Sequence, residues 1–351
     1  MKDIKIENIT ISNNEKCFII VEAGVNHNGS IEIAKKLVDE AVNIGADCIK
    51  FQTYKTENLV TKKAPKANYQ LKVTDKKESQ FEMLKKLELT LEEYKDLISY
   101  CRERNILFLS TPYNIGDIDF LNSLGVSAFK VASGQIVEKP FLEYLAKQGK
   151  PIIASTGMAY LSEIDEAVRV FRDNGNEDFV ILQCTTNYPS LESDSNLKAM
   201  ISMRDAFNCL VGYSDHTVTD VAILGSVALG AKIIEKHFTL DKNMEGPDHS
   251  CSADPEEMAE LISKIRLLES ALGTGVKTPC ESEIKNTQGM RRSLVFNRDI
   301  KEGETLKQED IGVKRPATGI HPNLIDQFVG KVVTRDISLD DQVSFGDVKW
   351  D

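Results

Sequence analysis

Short apolar runs recur along the first three-quarters of the chain, and nearly every run ends in polar residues that are capable of chemistry. Between most of the runs, apolar residues recur three or four positions apart, which predicts amphipathic helices at 31–44, 91–105 and 161–174. We interpret the runs as buried strands, and they occupy residues 18–22, 47–52, 106–111, 128–133, 151–156, 179–183, 210–216 and 233–237.

The alternation of strand and helix predicts a parallel sheet whose strands are joined by helical crossovers. Eight such units over about 270 residues have the size of a (β/α)8 TIM barrel, an α/β fold whose active site forms at the C-terminal ends of the strands. The alternative is a doubly wound open sheet, in which a glycine-rich dinucleotide turn follows the first strand. Residues 21–29 do not have that pattern, so the barrel is favoured.

The pattern of apolar and polar residues changes after the last predicted barrel helix, at 258–272. We expect the barrel to occupy 1–275, a linker to follow at 276–290, and a small second domain to occupy 291–351. A domain of this size buries a small core, so contact with another domain or subunit is expected. Short strands are predicted in it at 293–296, 300–304 and 331–334.

Composition places the chain among ordinary globular proteins, with 41% hydrophobic and 28% charged residues over a length of 351. The net charge of −11 argues against nucleic-acid binding, which requires a basic surface. No apolar run approaches the roughly 18 residues that span a membrane, and the N-terminus lacks the apolar core of a signal peptide. We therefore expect a cytoplasmic protein that does not bind membranes.

Two lysines stand inside predicted strands, where a solvated surface lysine would be out of place. Lys50 lies in the second run and Lys130 in the fourth, so a barrel brings both cations together if they face its lumen. Cations beside hydroxyl groups suit a phosphate and a carboxylate, so an anion site is predicted here. The hydroxyl side chains that end the neighbouring runs are Thr111, Ser133, Ser155 and Ser214.

Two histidines end neighbouring strands, His216 the seventh and His237 the eighth. Ser214 and Glu235 lie two positions before them, so each pair projects to the same face of its strand. Two imidazoles in this arrangement suit a shared divalent metal ion that acts as a Lewis acid on a substrate oxygen. Glu22, which ends the first strand, lies beside the eighth in a closed barrel and is predicted to act as a general acid or base, or else to pair with a lysine.

A set of segments stands out in this order along the chain: 22–29, 50–53, 110–112, 129–134, 155–158, 212–216, 235–238 and 246–249. Together they resemble the bacterial sialic acid synthases, and residues 314–320 look like the signature of that family's C-terminal antifreeze-like, or SAF, domain. The resemblance covers almost the whole chain. One departure is Gln135, where several relatives carry an acidic residue, so no role is transferred to that position.

The resemblance implies that phosphoenolpyruvate (PEP) condenses with an open-chain N-acetylated mannose-type sugar to a nine-carbon 2-keto acid and phosphate. Glu22 matches the catalytic glutamate, and His216 and His237 match two manganese ligands, with magnesium or cobalt as alternatives. The positions that match PEP-binding residues are Lys50, Thr111, Lys130, Ser133, Ser155 and Ser214. Those that match sugar-binding residues are Gln52, Tyr188, Asp248 and Arg315.

The resemblance also implies a homodimer in which the SAF domain of one subunit caps the barrel of the other, so that Arg315 reaches the sugar from the partner chain. We predict N-acetylmannosamine as the sugar, because nothing in the sequence marks a methyl pocket. The alternative is 2,4-diacetamido-2,4,6-trideoxymannose, which would make the chain an N,N'-diacetyllegionaminate synthase. Rival classes are a sugar aldolase or lyase, whose Schiff-base lysine must lose its charge, and a non-catalytic sugar-binding protein.

Overall fold

The computed structural model describes residues 1–67, 70–75 and 77–350 of the chain. The chain divides into two compact units, Met1–Gly273 and Thr274–Asp351. None of the helices in these described ranges is long and apolar enough to cross a membrane.

The first unit contains a short hairpin followed by a parallel sheet. Its strands are β1 (Ile4–Ile6), β2 (Ile9–Ile11), β3 (Phe18–Gly24), β4 (Cys48–Thr53), β5 (Leu107–Pro112), β6 (Phe129–Val131), β7 (Ile152–Ser155), β8 (Phe179–Cys184), β9 (Leu210–Asp215) and β10 (Ile233–His237). Strands β3 to β10 pair in the order β5-β4-β3-β10-β9-β8-β7-β6, and the two end strands β5 and β6 lie side by side. The described strands thus form a nearly closed barrel, which confirms the predicted fold.

Helices follow the barrel strands, and most of them cover the outside of the sheet. They are α1 (Ile31–Asn43), α2 (Thr56–Leu59), α3 (Gln70–Val73), α4 (Gln80–Lys86), α5 (Leu91–Glu103), α6 (Ile115–Ser123), α7 (Lys139–Ala146), α8 (Leu161–Asp173), α9 (Lys198–Phe207), α10 (Val221–Ala228) and α11 (Pro255–Leu272). Helix α5 begins where predicted because the Thr90 side chain accepts the Glu93 amide while the Glu93 carboxylate accepts the Thr90 amide.

The barrel interior is packed and closed at one end. Ile20, Leu109 and Leu182 form an interior cluster with Ile4 and Ile6 of the N-terminal hairpin. The hairpin, which the sequence analysis did not predict, therefore covers the end of the barrel at which the strands begin. The opposite end, where the strands finish, carries the long connection between β4 and α5, which includes α2, α3 and α4.

The second unit has its own small core around Leu294, Phe296 and Phe328. Helix α12 (Glu281–Met290) lies within the expected linker, and strands β11 (Ser293–Phe296) and β12 (Ile311–Lys314) pair antiparallel. The predicted strands at 300–304 and 331–334 are wrong, because these residues contribute isolated bridges such as Ile300 with Ile337. The first of them is interrupted by a turn, in which the Glu304 amide donates to the Lys301 carbonyl and Gly303 has φ of 84°.

Candidate active site

A cavity of about 410 Å³ opens at the C-terminal ends of the barrel strands. The predicted site residues that line it are Glu22, Lys50, Gln52, Thr111, Lys130, Ser133, Ser155, Tyr188, Ser214, His216, His237 and Asp248. Arg315 belongs to the second unit, where it is exposed and its Nε donates to the Met290 carbonyl at 3.0 Å.

Strand register explains why these side chains meet. On the two strands that flank β3, Lys50 and His237 are both in register with Glu22. Ser214 on β9 is likewise in register with Glu235 on β10. Residues in register on neighbouring parallel strands project side by side, so groups separated by more than 200 positions in sequence come within contact distance.

The two predicted lysines are almost completely buried, with 1% of Lys50 and 3% of Lys130 exposed. Lys50 Nζ lies 2.5 Å from Glu22 Oε1 and 3.4 Å from Thr111 Oγ1. Lys130 Nζ donates to Ser155 Oγ at 2.7 Å. Both cations therefore point into the cavity beside hydroxyl groups, which is the arrangement that an anionic ligand requires.

A second carboxylate, which the sequence analysis did not include among the site residues, lies between the lysines. Glu235 Oε1 is 3.4 Å from Lys130 Nζ, and its Oε2 is 3.7 Å from Lys50 Nζ. Ser214 Oγ donates to Oε1 at 2.9 Å. We call Glu22, Lys50, Lys130 and Glu235 the charged floor of the cavity, and its formal charges sum to zero.

Burial and neighbouring charges compete in setting the protonation of the charged floor. Burial raises the pKa of Glu22, but Lys50, His237 and Lys130 reverse this effect and bring the pKa below its usual value. Burial lowers the pKa of Lys50, yet Glu22 and Glu235 raise it above the usual value. For Lys130 burial prevails over Glu235, and the pKa is lowered. Glu22 is therefore an anion that Lys50 stabilises.

The two histidines are close enough to hold one ion, because their ring centroids are 5.5 Å apart. His216 Nδ1 donates to the Thr185 carbonyl at 2.7 Å, which fixes the ring and leaves Nε2 for a ligand. His237 Nδ1 is buried and has no hydrogen-bond partner among the described residues, while its Nε2 lies 3.5 Å from Glu22 Oε2. These unfilled ring nitrogens fit a divalent metal ion.

The protein offers such an ion few ligands. The described residues contain no group of three or more His, Cys, Asp or Glu side chains arranged to hold a metal. Burial lowers the pKa of His216, but Cys184 and the Thr185 carbonyl raise it to about 9. The ring is therefore protonated at neutral pH when no metal is bound, and an ion that binds to it must displace this proton.

Further polar groups of the cavity lie around the charged floor. Gln52 Nε2 donates to Glu22 Oε1 at 3.2 Å, and the Tyr188 ring lies 4.1 Å from the His216 ring, measured between centroids. Asp248 is buried, which raises its pKa. Gln135 Oε1 accepts the Ala132 amide, while its buried Nε2 has no partner among the described residues and is available to a ligand acceptor.

Five apolar residues from the connections that follow the strands also line the cavity, and we call them the apolar wall. Its residues follow the ends of strands β3, β4 and β10, and they are Val25, Leu59, Val60, Leu84 and Pro247. The wall was not predicted from sequence, because its members are scattered through connections that have no common periodicity.

Family models match both units of the chain: the NeuB family model covers residues 37–277 and the SAF domain model covers residues 291–349. The chain belongs to the NeuB family. Family membership confirms the predicted resemblance, and it makes the chain an enzyme, a PEP-dependent synthase of sialic-type (nonulosonic) acids.

Relatives of this NeuB-family chain are similar along nearly their whole length. The N,N'-diacetyllegionaminic acid synthase of Campylobacter jejuni is 48% identical over 94% of this chain and 99% of its own. The enzyme of the same name from Legionella pneumophila is 44% identical over 92% of each chain. The crystal structure of N-acetylneuraminic acid synthetase from Leptospira borgpetersenii matches with a TM-score of 0.73 and 34% identity, over 81% of this chain and 95% of that one.

Proposed function

We propose that this enzyme condenses PEP with an open-chain 2-acetamido sugar of the mannose type to give a nine-carbon 2-keto acid and phosphate. The observation that carries the proposal is the arrangement of two buried lysines and two histidines around one cavity at the strand ends. The lysines suit the phosphate and carboxylate of PEP, and the histidines suit an ion that binds the aldehyde oxygen of the sugar.

PEP would bind above the charged floor. Lys50 and Lys130 would donate to its anionic oxygens, together with the hydroxyls of Thr111 and Ser155. Ser214 would first have to release its hydrogen bond to Glu235. Ser133 lies nearby and its Oγ accepts the Gly157 amide at 2.9 Å, so its hydroxyl proton is directed to another acceptor. Because these donors are held by buried strands, they need little reorganisation when PEP enters.

His216 and His237 would hold a divalent ion, with manganese proposed first and magnesium or cobalt as alternatives. When bound, the ion would supply Lewis acidity toward the aldehyde oxygen. Of the protein groups, Glu22 is the one suited to move protons. Its carboxylate is ionised, and it lies 2.5 Å from Lys50 Nζ and 3.5 Å from His237 Nε2.

The reaction would proceed in balanced steps. The enol carbon C3 of PEP attacks the sugar aldehyde carbon, and the aldehyde oxygen becomes a hydroxyl by taking the proton that Glu22 removes from the attacking water. Water adds at C2 of PEP and gives its proton to Glu22, which leaves a tetrahedral centre that carries both a hydroxyl and the phosphate ester. The C–O bond to phosphate then breaks as the C2 hydroxyl becomes the 2-keto group and passes its proton to the leaving phosphate, so the phosphate keeps the bridging oxygen.

Two sugars are candidates for the substrate that condenses with PEP. N-acetylmannosamine, the sugar predicted from the sequence, would give N-acetylneuraminate. The identities of 48% and 44% to two N,N'-diacetyllegionaminic acid synthases, against 34% to an N-acetylneuraminic acid synthetase, favour 2,4-diacetamido-2,4,6-trideoxymannose instead. We therefore propose the diacetamido sugar as the main substrate. Gln52, Tyr188 and Asp248 would contact the part common to both sugars.

The proposed working unit is a homodimer in which the SAF domain of each subunit covers the barrel mouth of its partner and brings Arg315 to the sugar. The connections at the C-terminal ends of β6 to β9 support this proposal, because they expose large apolar side chains that water solvates poorly. These side chains are Val137, Met158, Tyr160, Leu191 and Val218.

The direct test is to incubate the purified protein with PEP, a divalent metal and a panel of acetamido sugars, and to measure phosphate and 2-keto acid together. Equal amounts of both products are expected. Lys130→Met should abolish them, while Lys139→Met, which removes an exposed lysine of α7, is the matched control. A covalent adduct between the protein and the sugar after borohydride treatment, without phosphate release, would instead support a Schiff-base aldolase.

A further inference from the structure

The apolar wall lies farther along the cavity than the charged floor. The floor residues lie within the strands, whereas Val25, Leu59 and Leu84 lie in the connections beyond the strand ends. The cavity therefore has a charged inner end, and the apolar wall lies nearer to its mouth.

The wall is held in place by a hydrophobic cluster behind it. Val25 is buried against Tyr54 and Leu87, and Leu59 and Leu84 pack on the same cluster. The Tyr54 hydroxyl donates to the Leu84 carbonyl at 3.2 Å, which ties α4 to the end of β4. Because several elements support it, the wall is a formed surface and does not require a ligand to assemble it.

The chemistry of the proposed reaction orients the sugar in this cavity. Its aldehyde carbon C1 must reach C3 of PEP at the inner end, next to the lysines and histidines. An open-chain sugar that starts there extends outward, so its C5 and C6 atoms are the ones that arrive beyond the strand ends. A hydroxyl pressed against Val25 or Leu84 would lose water without gaining a partner, whereas a methyl group would gain apolar contact.

We infer that the apolar wall binds the C6 end of the sugar and makes the enzyme selective for sugars that carry a methyl group at C6. This inference rests on the proposed function and names the residues that would determine its specificity, Leu59 and Leu84 foremost. Gln70 and Gln80 also line the cavity, so polar side chains stand near the apolar wall and the test has to isolate the effect of the C6 oxygen.

The experiment compares sugars that differ in the C6 oxygen alone. One pair is N-acetylmannosamine and its 6-deoxy analogue, and the other is 2,4-diacetamido-2,4,6-trideoxymannose and its 6-hydroxy analogue. We expect kcat/KM to be about 10- to 100-fold higher for the 6-deoxy member of each pair, the range that an apolar site gives for one small group. Using both pairs ensures that a sugar with the required substituent at C4 is present.

Substitutions in the apolar wall then test whether it causes the preference for the 6-deoxy sugar. Leu59→Gln and Leu84→Gln place an amide where the methyl group is expected, and each should reduce the preference to about threefold or less. KM for PEP should stay unchanged in both, because the charged floor is untouched. Leu91→Gln is the matched control, since Leu91 is 50% exposed at the start of α5 and does not line the cavity, and its preference should equal that of the unaltered protein.

The outcomes separate this inference from the proposed function. Product from both members of a pair at equal rates, or faster product from the 6-hydroxy member, would overturn the inference and leave the synthase proposal intact. If both Leu→Gln variants keep the preference for the 6-deoxy sugar and the PEP kinetics of the unaltered protein, residues outside the apolar wall recognise the C6 substituent, and the inference is wrong. Absence of phosphate release with every sugar would contradict the proposed function itself.

Discussion

Replacing Glu235 with glutamine tests the charged floor most directly, because the two side chains have the same shape and differ in one charge. The carboxylate of Glu235 lies 3.4 Å from Lys130 Nζ and 3.7 Å from Lys50 Nζ. The amide oxygen of glutamine would still accept the hydrogen bond from Ser214. The perturbation therefore removes the charge and leaves the packing nearly unchanged.

The expected effect follows from these two distances. At an effective dielectric constant of 20, each ion pair has a gross attraction of about 4–5 kcal/mol, which the cost of burying the charges largely offsets. Removing one partner leaves that cost uncompensated, and such changes destabilise proteins by about 3–5 kcal/mol. We expect Glu235→Gln to lower the free energy of unfolding by about 3 kcal/mol, which lowers Tm by roughly 5–10 °C.

PEP should reverse part of this loss, because its phosphate brings negative charge to the same two lysines. Thermal unfolding with and without PEP should therefore show a larger PEP-induced rise in Tm for Glu235→Gln than for the unaltered protein. The control is Glu166→Gln on the exposed side of α8, which should change stability by about 0.5 kcal/mol or less. Equal Tm values and equal PEP-induced shifts in all three proteins would refute this account of the charged floor.

The remaining predictions concern the metal, the bond that breaks, the shared site and acid stability. EDTA should abolish turnover and manganese should restore it, and full activity of metal-free protein would contradict this. His216→Ala should lower turnover by orders of magnitude while the protein stays folded, which circular dichroism would check. PEP labelled with ¹⁸O at the bridging position should give labelled phosphate, whereas label in the sugar acid would mean attack at phosphorus. Mixing Arg315→Ala with Lys130→Ala protein should recover part of the activity through mixed dimers. No recovery, with mixed dimers shown to form, would mean that Arg315 does not act in the partner's site. Burial lowers the pKa of His27 to about 4, below the unfolded value of 6.5, so the unfolded chain binds the proton more readily. The free energy of unfolding should therefore decrease by up to about 3 kcal/mol as the pH falls from 6.5 to 4. Denaturant titrations of His27→Gln should show a smaller change of this free energy with pH.

The barrel could be predicted from sequence because its strands are covered on both faces. A strand such as β7 (Ile152–Ser155) lies between the barrel interior and the outer helices, so it appears as a continuous apolar run. The second unit gives a weaker signal, since its chain turns every few residues and pairs mostly through single bridges. Two of its three predicted strands were wrong for that reason.

The residues around the cavity were predictable where a polar group interrupts an apolar strand, as at Lys50 and Lys130. Glu235 had the same signal, since it stands two positions before His237, but its role depends on the register between β9 and β10 that places it beside Ser214. The apolar wall could not be predicted from local pattern. Val25 and Leu84 come together through tertiary packing alone, because a long connection folds back over the barrel end.

The balance of charges at the cavity floor explains how an acidic chain can serve an anionic substrate. The net charge of −11 is spread over the whole chain, whereas a buried ligand responds mainly to the charges within a few ångströms of it. On the charged floor two lysines offset two glutamates, so the floor is neutral before PEP arrives. A substrate with several negative charges therefore needs further positive charge nearby, and the cation proposed at His216 and His237 would supply it. Binding of PEP and binding of that cation must then strengthen each other by the same factor, because the coupling between two sites is reciprocal.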